Sequence, residues 1–268
     1  MGTIGFIGGG NMAEALIKGI LSAKLYKPKD VFISDIKPER LQHLTKEYKV
    51  TAADNAQLAA KVDTLILSIK PQNMTDALES IKASPKKDSL IISIAAGKKI
   101  ASITAILGDR PVVRVMPNTP ALIGEGISAL FANKKAKPML EKAKSIFSSV
   151  GHIVVLDNEE LMDVVTAVSG NGPAYYFLFC EELIKAAVQL GLPENIAKEL
   201  VLQTAKGAAL LACDADKHGI SLESLRRNVT SPGGTTEAAL KVLNDAGFGS
   251  LVAQALKKAC ERSRQLSA

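Results

Sequence analysis

Ile4-Gly5-Phe6-Ile7-Gly8-Gly9-Gly10-Asn11-Met12-Ala13 combines three signals in a fixed order. Thr3 to Ile7 reads as a short apolar strand. Gly8, Gly10 and Ala13 then follow as G-x-G-x-x-A. Ala13, Leu16, Ile17 and Ile20 recur at helical spacing, so a helix starts at once. This is the first strand–turn–helix of a dinucleotide-binding fold. Gly8 permits the tight turn, Gly10 lets backbone approach a pyrophosphate, and Ala13 lets the helix pack closely on the strand. The helix N-terminus carries the partial positive charge that receives the anion. Asp35 ends a second strand about twenty residues on, where the fingerprint expects an acid. A tight turn with no ligand is the plainer alternative, and the strand, helix and acid together weigh against it.

Outward from that turn, the first half alternates strand and helix. Strands are predicted at Val31–Ser34, Val50-Thr51, Thr64–Ser68, Leu90–Ile94 and Pro111–Met116. Helices are predicted at Pro38–Glu47, Asn55–Lys61, Met74–Ile81 and Ile100–Leu107. Such alternation implies a mostly parallel, doubly wound sheet with right-handed crossovers. Two late strands, Gly126–Phe131 and His152–Leu156, flank a helix at Met139–Ser148. After Asp157 the strand signals stop. Ala/Leu/Lys-rich helical segments follow at Glu159–Val168, Ala174–Leu190, Pro193–Ala212, Ser221–Arg227, Thr235–Asn244 and Leu251–Leu266. Gly191 and Gly247 sit where helix C-caps belong. The fold class is therefore α/β: a Rossmann-like domain over 1–158, then an all-α domain over 159–268. The apolar stripes on these helices predict both a bundle and packing against a second subunit.

The chain has 268 residues and a net charge of +6, and its basic pairs fall on separate elements. That pattern reads as solvated faces rather than a nucleic-acid groove. Cys180, Cys213 and Cys260 have no C-x-x-C spacing and no histidine at ligand distance. They read as small buried residues in a reducing compartment. His43, His152 and His218 are isolated, so no metal site is predicted. No apolar span reaches the roughly eighteen residues of a membrane helix, and no signal peptide is legible, which places the protein in the cytoplasm.

Loops at the carboxyl ends of the strands are the places for ligand. Ser68-Ile69-Lys70-Pro71-Gln72 leaves the fourth strand, and Ile94-Ala95-Ala96-Gly97 leaves the fifth. Asp35 would accept the ribose hydroxyls of NAD, while Lys37 and Arg40 could pair with a 2′-phosphate. These signals oppose each other, and the choice of coenzyme stays open. Arg114-Val115-Met116-Pro117-Asn118-Thr119-Pro120 makes a rigid turn after the sixth strand, with Asn118 and Thr119 as donors. Further on, Val229-Thr230-Ser231-Pro232-Gly233-Gly234-Thr235-Thr236-Glu237 precedes a helix. Its free N–H groups and the hydroxyls of Ser231, Thr235 and Thr236 form an anion cradle suited to a carboxylate without Lys or Arg. An elaborate helix cap is the rival reading.

These blocks, with Thr166-Ala167-Val168-Ser169-Gly170 and Gly172-Pro173-Ala174-Tyr175, resemble the pyrroline-5-carboxylate reductase family over essentially the whole chain. The Val229–Thr236 block is the family's specific signature; the glycine turn is shared with many dehydrogenases. Asn171 stands where the family commonly has Ser. Asp35 stands where relatives carry Asn-Arg or Ser. The resemblance implies a Rossmann domain, an all-helical dimerisation domain, and homodimers that assemble into decamers. It implies hydride transfer from NADPH (or NADH) to the C=N carbon of 1-pyrroline-5-carboxylate, giving L-proline, at a site on the dimer interface. The substrate carboxylate would be held by Ser231, Gly233, Gly234, Thr235 and Thr236, with Thr236 bonding the ring nitrogen as proton donor. The cofactor would meet Ile7, Gly8, Gly9, Gly10, Asn11, Met12, Ser34, Asp35, Lys37, Asn55, Ile69, Lys70, Pro71, Gln72, Ala95, Ala96, Gly97 and Asn228. Two rivals remain at this level. One is a Rossmann reductase for a hydroxy acid or ketopantoate, which would use Lys185 or Glu181. The other is a nucleotide-binding protein without catalysis.

Overall fold

Burial on both faces explains why the early strands are unbroken apolar runs. In the computed structural model, which describes residues 2–267, β1 (Ile4–Ile7), β2 (Val31–Ser34), β4 (Thr64–Leu67) and β5 (Leu90–Ser93) are buried at every position. With β3 (Thr51–Ala52), β6 (Val112–Met116), β7 (Gly126–Ala132) and β8 (Gly151–Val155) they form one sheet in the order β3-β2-β1-β4-β5-β6-β7-β8. Pairing is parallel from β3 through β6; β7 runs antiparallel to β6, and β8 is parallel to β7. Side chains alternate between two cores. Phe6, Ile66 and Ile92 face α1 (Asn11–Ser22) and α6 (Leu140–Ser148) with Leu16, Ile17, Ile146 and Phe147. Leu65, Leu67 and Ile91 face α3 (Asn55–Lys61), α4 (Met74–Ser80) and α5 (Ile100–Leu107) with Leu58, Leu78 and Ile103. Helices thus cover both sheet faces, as in a doubly wound fold.

Several boundaries differ from the sequence expectation. The third strand is Thr51–Ala52 rather than Val50-Thr51: it is an exposed edge strand of two residues, with too little pattern to fix its register. The segment expected as a helix over Glu159–Val168 is α7 (Leu161–Val165) continued by a π-helical turn, Thr166–Gly170. α8 (Gly172–Gln189) starts at the glycine before Pro173, which proline at a first turn allows. α9 (Glu194–Lys217) runs past Ala212, and α12 (Phe248–Ser267) begins before Leu251. α2 (Pro38–Tyr48), α10 (Leu222–Asn228) and α11 (Thr235–Asp245) lie within a residue of their expected positions. Gly191 and Gly247 have φ of +97° and +75°, as C-cap glycines do.

The chain divides into two compact units. The first takes in residues up to Pro173 together with the end of α12 from Lys257; the second is Ala174–Leu256. Within the second unit, the buried apolar side chains among the described residues are only Ala197 and Ala215. Tyr176, Phe177, Leu178, Leu202, Leu210 and Leu251 are all more than half exposed in the single chain. These helices keep their apolar faces open in the single chain, as the expected packing against a second subunit requires. The cysteines change with them. Cys213 on α9 is exposed, and Cys180 and Cys260 are only half-buried, because they lie on helices that one chain leaves uncovered.

Candidate active site

The parallel register brings the carboxyl ends of β1, β2, β4 and β5 to one edge of the first unit. Ile7 closes β1 and is buried. Gly8 has φ of +99°, and a Cβ there would lie 2.5 Å from the Ser68 carbonyl oxygen, so only glycine makes the turn. Gly10 is the N-cap of α1; a Cβ on it would meet nothing within 4 Å, and no side chain caps the helix. The first-turn N–H groups beyond it, which include those of Asn11 and Met12, have no intrahelical acceptor and no side-chain cap. An uncapped, positive helix end behind three glycines fits a pyrophosphate.

Hydrogen bonds fix the rest of this edge. Gly9 N–H donates to Asp35 Oδ2 at 2.6 Å, and Lys37 N–H donates to Asp35 Oδ1 at 2.8 Å. Arg40 Nε donates to the Gly9 carbonyl at 2.8 Å, and its Nη2 reaches Glu14 Oε2 at 2.6 Å. Glu14 Oε1 also meets His43 Nε2 at 2.7 Å and accepts from Tyr48 Oη at 3.2 Å. Burial pushes the Glu14 carboxyl up, but its bonds to Arg40 and His43 outweigh that and hold it below the usual range. Ser34 Oγ donates to Asn55 Oδ1 at 2.6 Å, and Asn55 Nδ2 donates to Ser80 Oγ at 3.0 Å. Ser68 Oγ donates to the Gly8 carbonyl at 2.6 Å and locks the turn to the next loop. In that loop Ile69 is half-buried, Lys70 is exposed, and Pro71 and Gln72 form a single 3₁₀ turn.

Ala95 and Gly97 are buried after β5, with Ala96 half-buried between them. Gly97 has φ of +69°, and a Cβ there would lie 2.8 Å from Leu266 Cβ and 3.1 Å from the Ser263 carbonyl. Its small size is required by the end of α12. Beside it lies a polar cluster that the sequence reading missed. Arg114, 3% exposed, pairs with Glu159 at 3.3 Å and Asp163 at 3.9 Å. Ser263 Oγ donates to Asp163 Oδ1 at 2.6 Å, and Ile100 N–H donates to Glu159 at 2.8 Å. The signal was an arginine inside the apolar strand Val112-Val113-Arg114-Val115-Met116, which demands a buried carboxylate. Asn118 is structural in the same way: its Oδ1 accepts from Ile127 N–H, and its Nδ2 donates to the Ser169 carbonyl.

The hydroxyl-rich loop and Asn228, the last residue of α10, belong to the second unit. Gly234 is the N-cap of α11 and uses no side chain as a cap. Gly233, at φ of +73°, donates its N–H to Glu237 Oε2 at 2.7 Å, and Gly234 N–H donates to the Ser231 carbonyl at 2.9 Å. Among the described residues, the hydroxyls of Ser231, Thr235 and Thr236 have no hydrogen-bond partner. Three unpaired hydroxyls thus sit with the free N–H groups of an eleven-residue helix's first turn. Lys185 is in a surface pair with Glu182 at 2.6 Å and is 61% exposed. No cluster of His, Cys, Asp and Glu able to hold a metal occurs among the described residues.

Residues 3–97 match the family model described as NADP oxidoreductase, coenzyme F420-dependent, and residues 159–266 match pyrroline-5-carboxylate reductase dimerisation. The open glycine turn and the ordered sheet edge define an NAD(P)H-dependent Rossmann oxidoreductase carrying a helical second domain. A pyrroline-5-carboxylate reductase of Pseudomonas aeruginosa is 44% identical, with 98% of this chain and 96% of the relative covered. One from Escherichia coli is 35% identical over 98% of both. The solved structure of a pyrroline-5-carboxylate reductase from Coxiella burnetii superposes with a TM-score of 0.89 at 38% identity, covering 100% of this chain and 99% of that one. The Plasmodium falciparum pyrroline carboxylate reductase, solved with NADP bound, gives 0.87 at 34%, covering 99% and 98%. The chain belongs to the pyrroline-5-carboxylate reductase family.

Proposed function

We propose that the enzyme transfers hydride from NAD(P)H to the C=N carbon of 1-pyrroline-5-carboxylate and releases L-proline. The observation that carries the substrate is the neutral loop from Ser231 to Thr236. An imino acid offers one carboxylate and one ring nitrogen, and the loop offers helix N–H groups and unpaired hydroxyls. A carbonyl reductase needs an acid to protonate an alkoxide. An imine accepts hydride as its iminium, so a hydroxyl near nitrogen suffices. That matches a loop without His or Lys and a Lys185 held in a surface pair.

When bound, the reduced nicotinamide supplies the hydride. The chain supplies orientation. Ser231, Gly233, Gly234 and Thr235 grip the carboxylate, and Thr236 Oγ1 holds the ring nitrogen and its proton. The turn Ile7–Met12 receives the pyrophosphate. Ser34, Asp35, Lys37 and Asn55 frame the ribose side, Ile69–Gln72 and Ala95–Gly97 the nicotinamide side, and Asn228 also faces the cofactor. Asn55 acts through Ser34, to which its oxygen is committed. The functional division falls near Asn158, consistent with a dimerisation match beginning at residue 159. Paired chains complete the substrate pocket, and dimers assemble into decamers in the cytoplasm. No helix among the described residues is long and apolar enough to cross a membrane.

Steady-state oxidation of reduced coenzyme with pyrroline-5-carboxylate, run beside ketopantoate, tests the reading. Turnover with the imino acid alone supports it. Turnover with ketopantoate alone refutes it, and coenzyme binding without turnover on any imino acid would make this a binding protein.

A further inference from the structure

The edge beside β2 holds one fixed anion and one cation that is already occupied. Asp35 receives two backbone N–H groups, Gly9 at 2.6 Å and Lys37 at 2.8 Å, one on each oxygen. The carboxylate therefore cannot swing away from the end of β2. An acid at this place accepts the 2′-hydroxyl of the adenosine ribose. A hydroxyl has a proton to give it. A 2′-phosphate near neutral pH has mainly acceptor oxygens and up to two negative charges, and would be laid against a fixed acceptor of the same sign.

Arg40 is the residue that could offset this, and two of its three side-chain nitrogens, Nε and Nη2, are already bonded elsewhere. Nε is bonded to the Gly9 carbonyl at 2.8 Å and Nη2 to Glu14 at 2.6 Å, with the two side chains 26% and 22% exposed. Glu14 is further braced by His43 and Tyr48. Arg40 thus ties α2 to the glycine turn and has its charge matched inside the protein. Turning it toward a phosphate would leave Glu14 half-buried without its main counter-ion and the Gly9 carbonyl without its donor. The remaining cation is Lys37, exposed and on a flexible stem, which suits weak residual use of a phosphorylated coenzyme.

We infer that this enzyme takes NADH in preference to NADPH, with Asp35 as the discriminating residue and Arg40 withheld from the 2′-position by Glu14 and the Gly9 carbonyl. The inference rests on the dinucleotide reading of the Gly8–Gly10 turn but not on the identity of the imino acid. The test is a binding titration without substrate, following the intrinsic fluorescence of NADH and NADPH. Displacement by ADP and by adenosine 2′,5′-bisphosphate isolates the 2′-group. Wild type is expected to bind NADH about tenfold tighter than NADPH or better, and ADP tighter than the bisphosphate. Asp35→Ser narrows or reverses the ratio by about tenfold. Arg40→Ala weakens both coenzymes together and leaves their ratio within about twofold.

Equal or tighter NADPH binding by wild type overturns the inference. So does a selective loss of NADPH in Arg40→Ala, which needs no folded Asp35 variant to be read. If neither coenzyme binds, the dinucleotide reading falls and takes this inference with it. If the binding ratio is as expected but pyrroline-5-carboxylate is not reduced, the coenzyme inference stands and only the substrate assignment fails.

Discussion

At the scale of single residues, two positions carry more than their side chains suggest. Gly8 closes the turn against the Ser68 carbonyl at a positive φ. Gly8→Ala is expected to cost about 1–3 kcal/mol and to abolish coenzyme binding, read by urea denaturation and by titration. Unchanged coenzyme affinity would remove that turn from the site. Asp63 works at the opposite end of the sheet. Its carboxyl is held down to about 2, first by Lys86 at 2.7 Å and then by Thr3 N–H at 2.9 Å. A depressed carboxyl stabilises above its unfolded value of about 3.9, and that stability is lost as pH falls toward about 2. The side chain is 44% exposed, so solvent screening keeps the effect small. Asp63→Asn is expected to lower Tm slightly at pH 7 and to leave it unchanged near pH 2. Equal losses at both pH values would show that the charge plays no part. The residue scale is also where sequence reading reached furthest and stopped. Gly8, Gly10 and Asp35 were legible because a turn and an acid at fixed spacing have few uses. That Arg40 is already paired was not legible, because its partner Glu14 lies 26 residues away on another helix.

Among the elements, the sheet was readable because a strand buried on both faces is an apolar run of four to five residues with no rival pattern. β3 was misplaced because two exposed edge residues carry no such pattern. The anchoring of α12 was hidden for another reason: Ser263 and Asp163 are a hundred residues apart, and neither signals the other. That anchor joins α12, α7 and β6 under the loop of Gly97. Arg114→Ala would leave Asp163, 3% exposed, and Glu159 without their cation. It is expected to cost about 3–5 kcal/mol, measured by chemical denaturation. A loss below about 1 kcal/mol would mean the cluster is held by its other hydrogen bonds alone.

For the whole molecule, the decisive fact is a helical unit with two buried alanines and many uncovered aromatic and aliphatic side chains. Such area is unstable in water unless covered. The helices and their packing against a second subunit were legible from period, but how little of their faces one chain covers was not, because a stripe reads the same whether its partner is in the chain or beyond it. The purified protein is expected to scatter light as a dimer or a multiple of it. Leu210→Asp, at a side chain 61% exposed in the single chain, is expected to reduce that mass or precipitate the protein. A monomeric wild type would contradict the role given to these helices.

The account depends most on a neutral hydroxyl at Thr236 doing the work that other reductases give to a charged acid. The direct measurement is kcat for pyrroline-5-carboxylate reduction by wild type, Thr236→Ser and Thr236→Ala at saturating coenzyme. The expected result is a fall of about tenfold to a hundredfold in Thr236→Ala, with most of the rate kept in Thr236→Ser. A Thr236→Ala rate within about twofold of wild type would show that the proton comes from elsewhere.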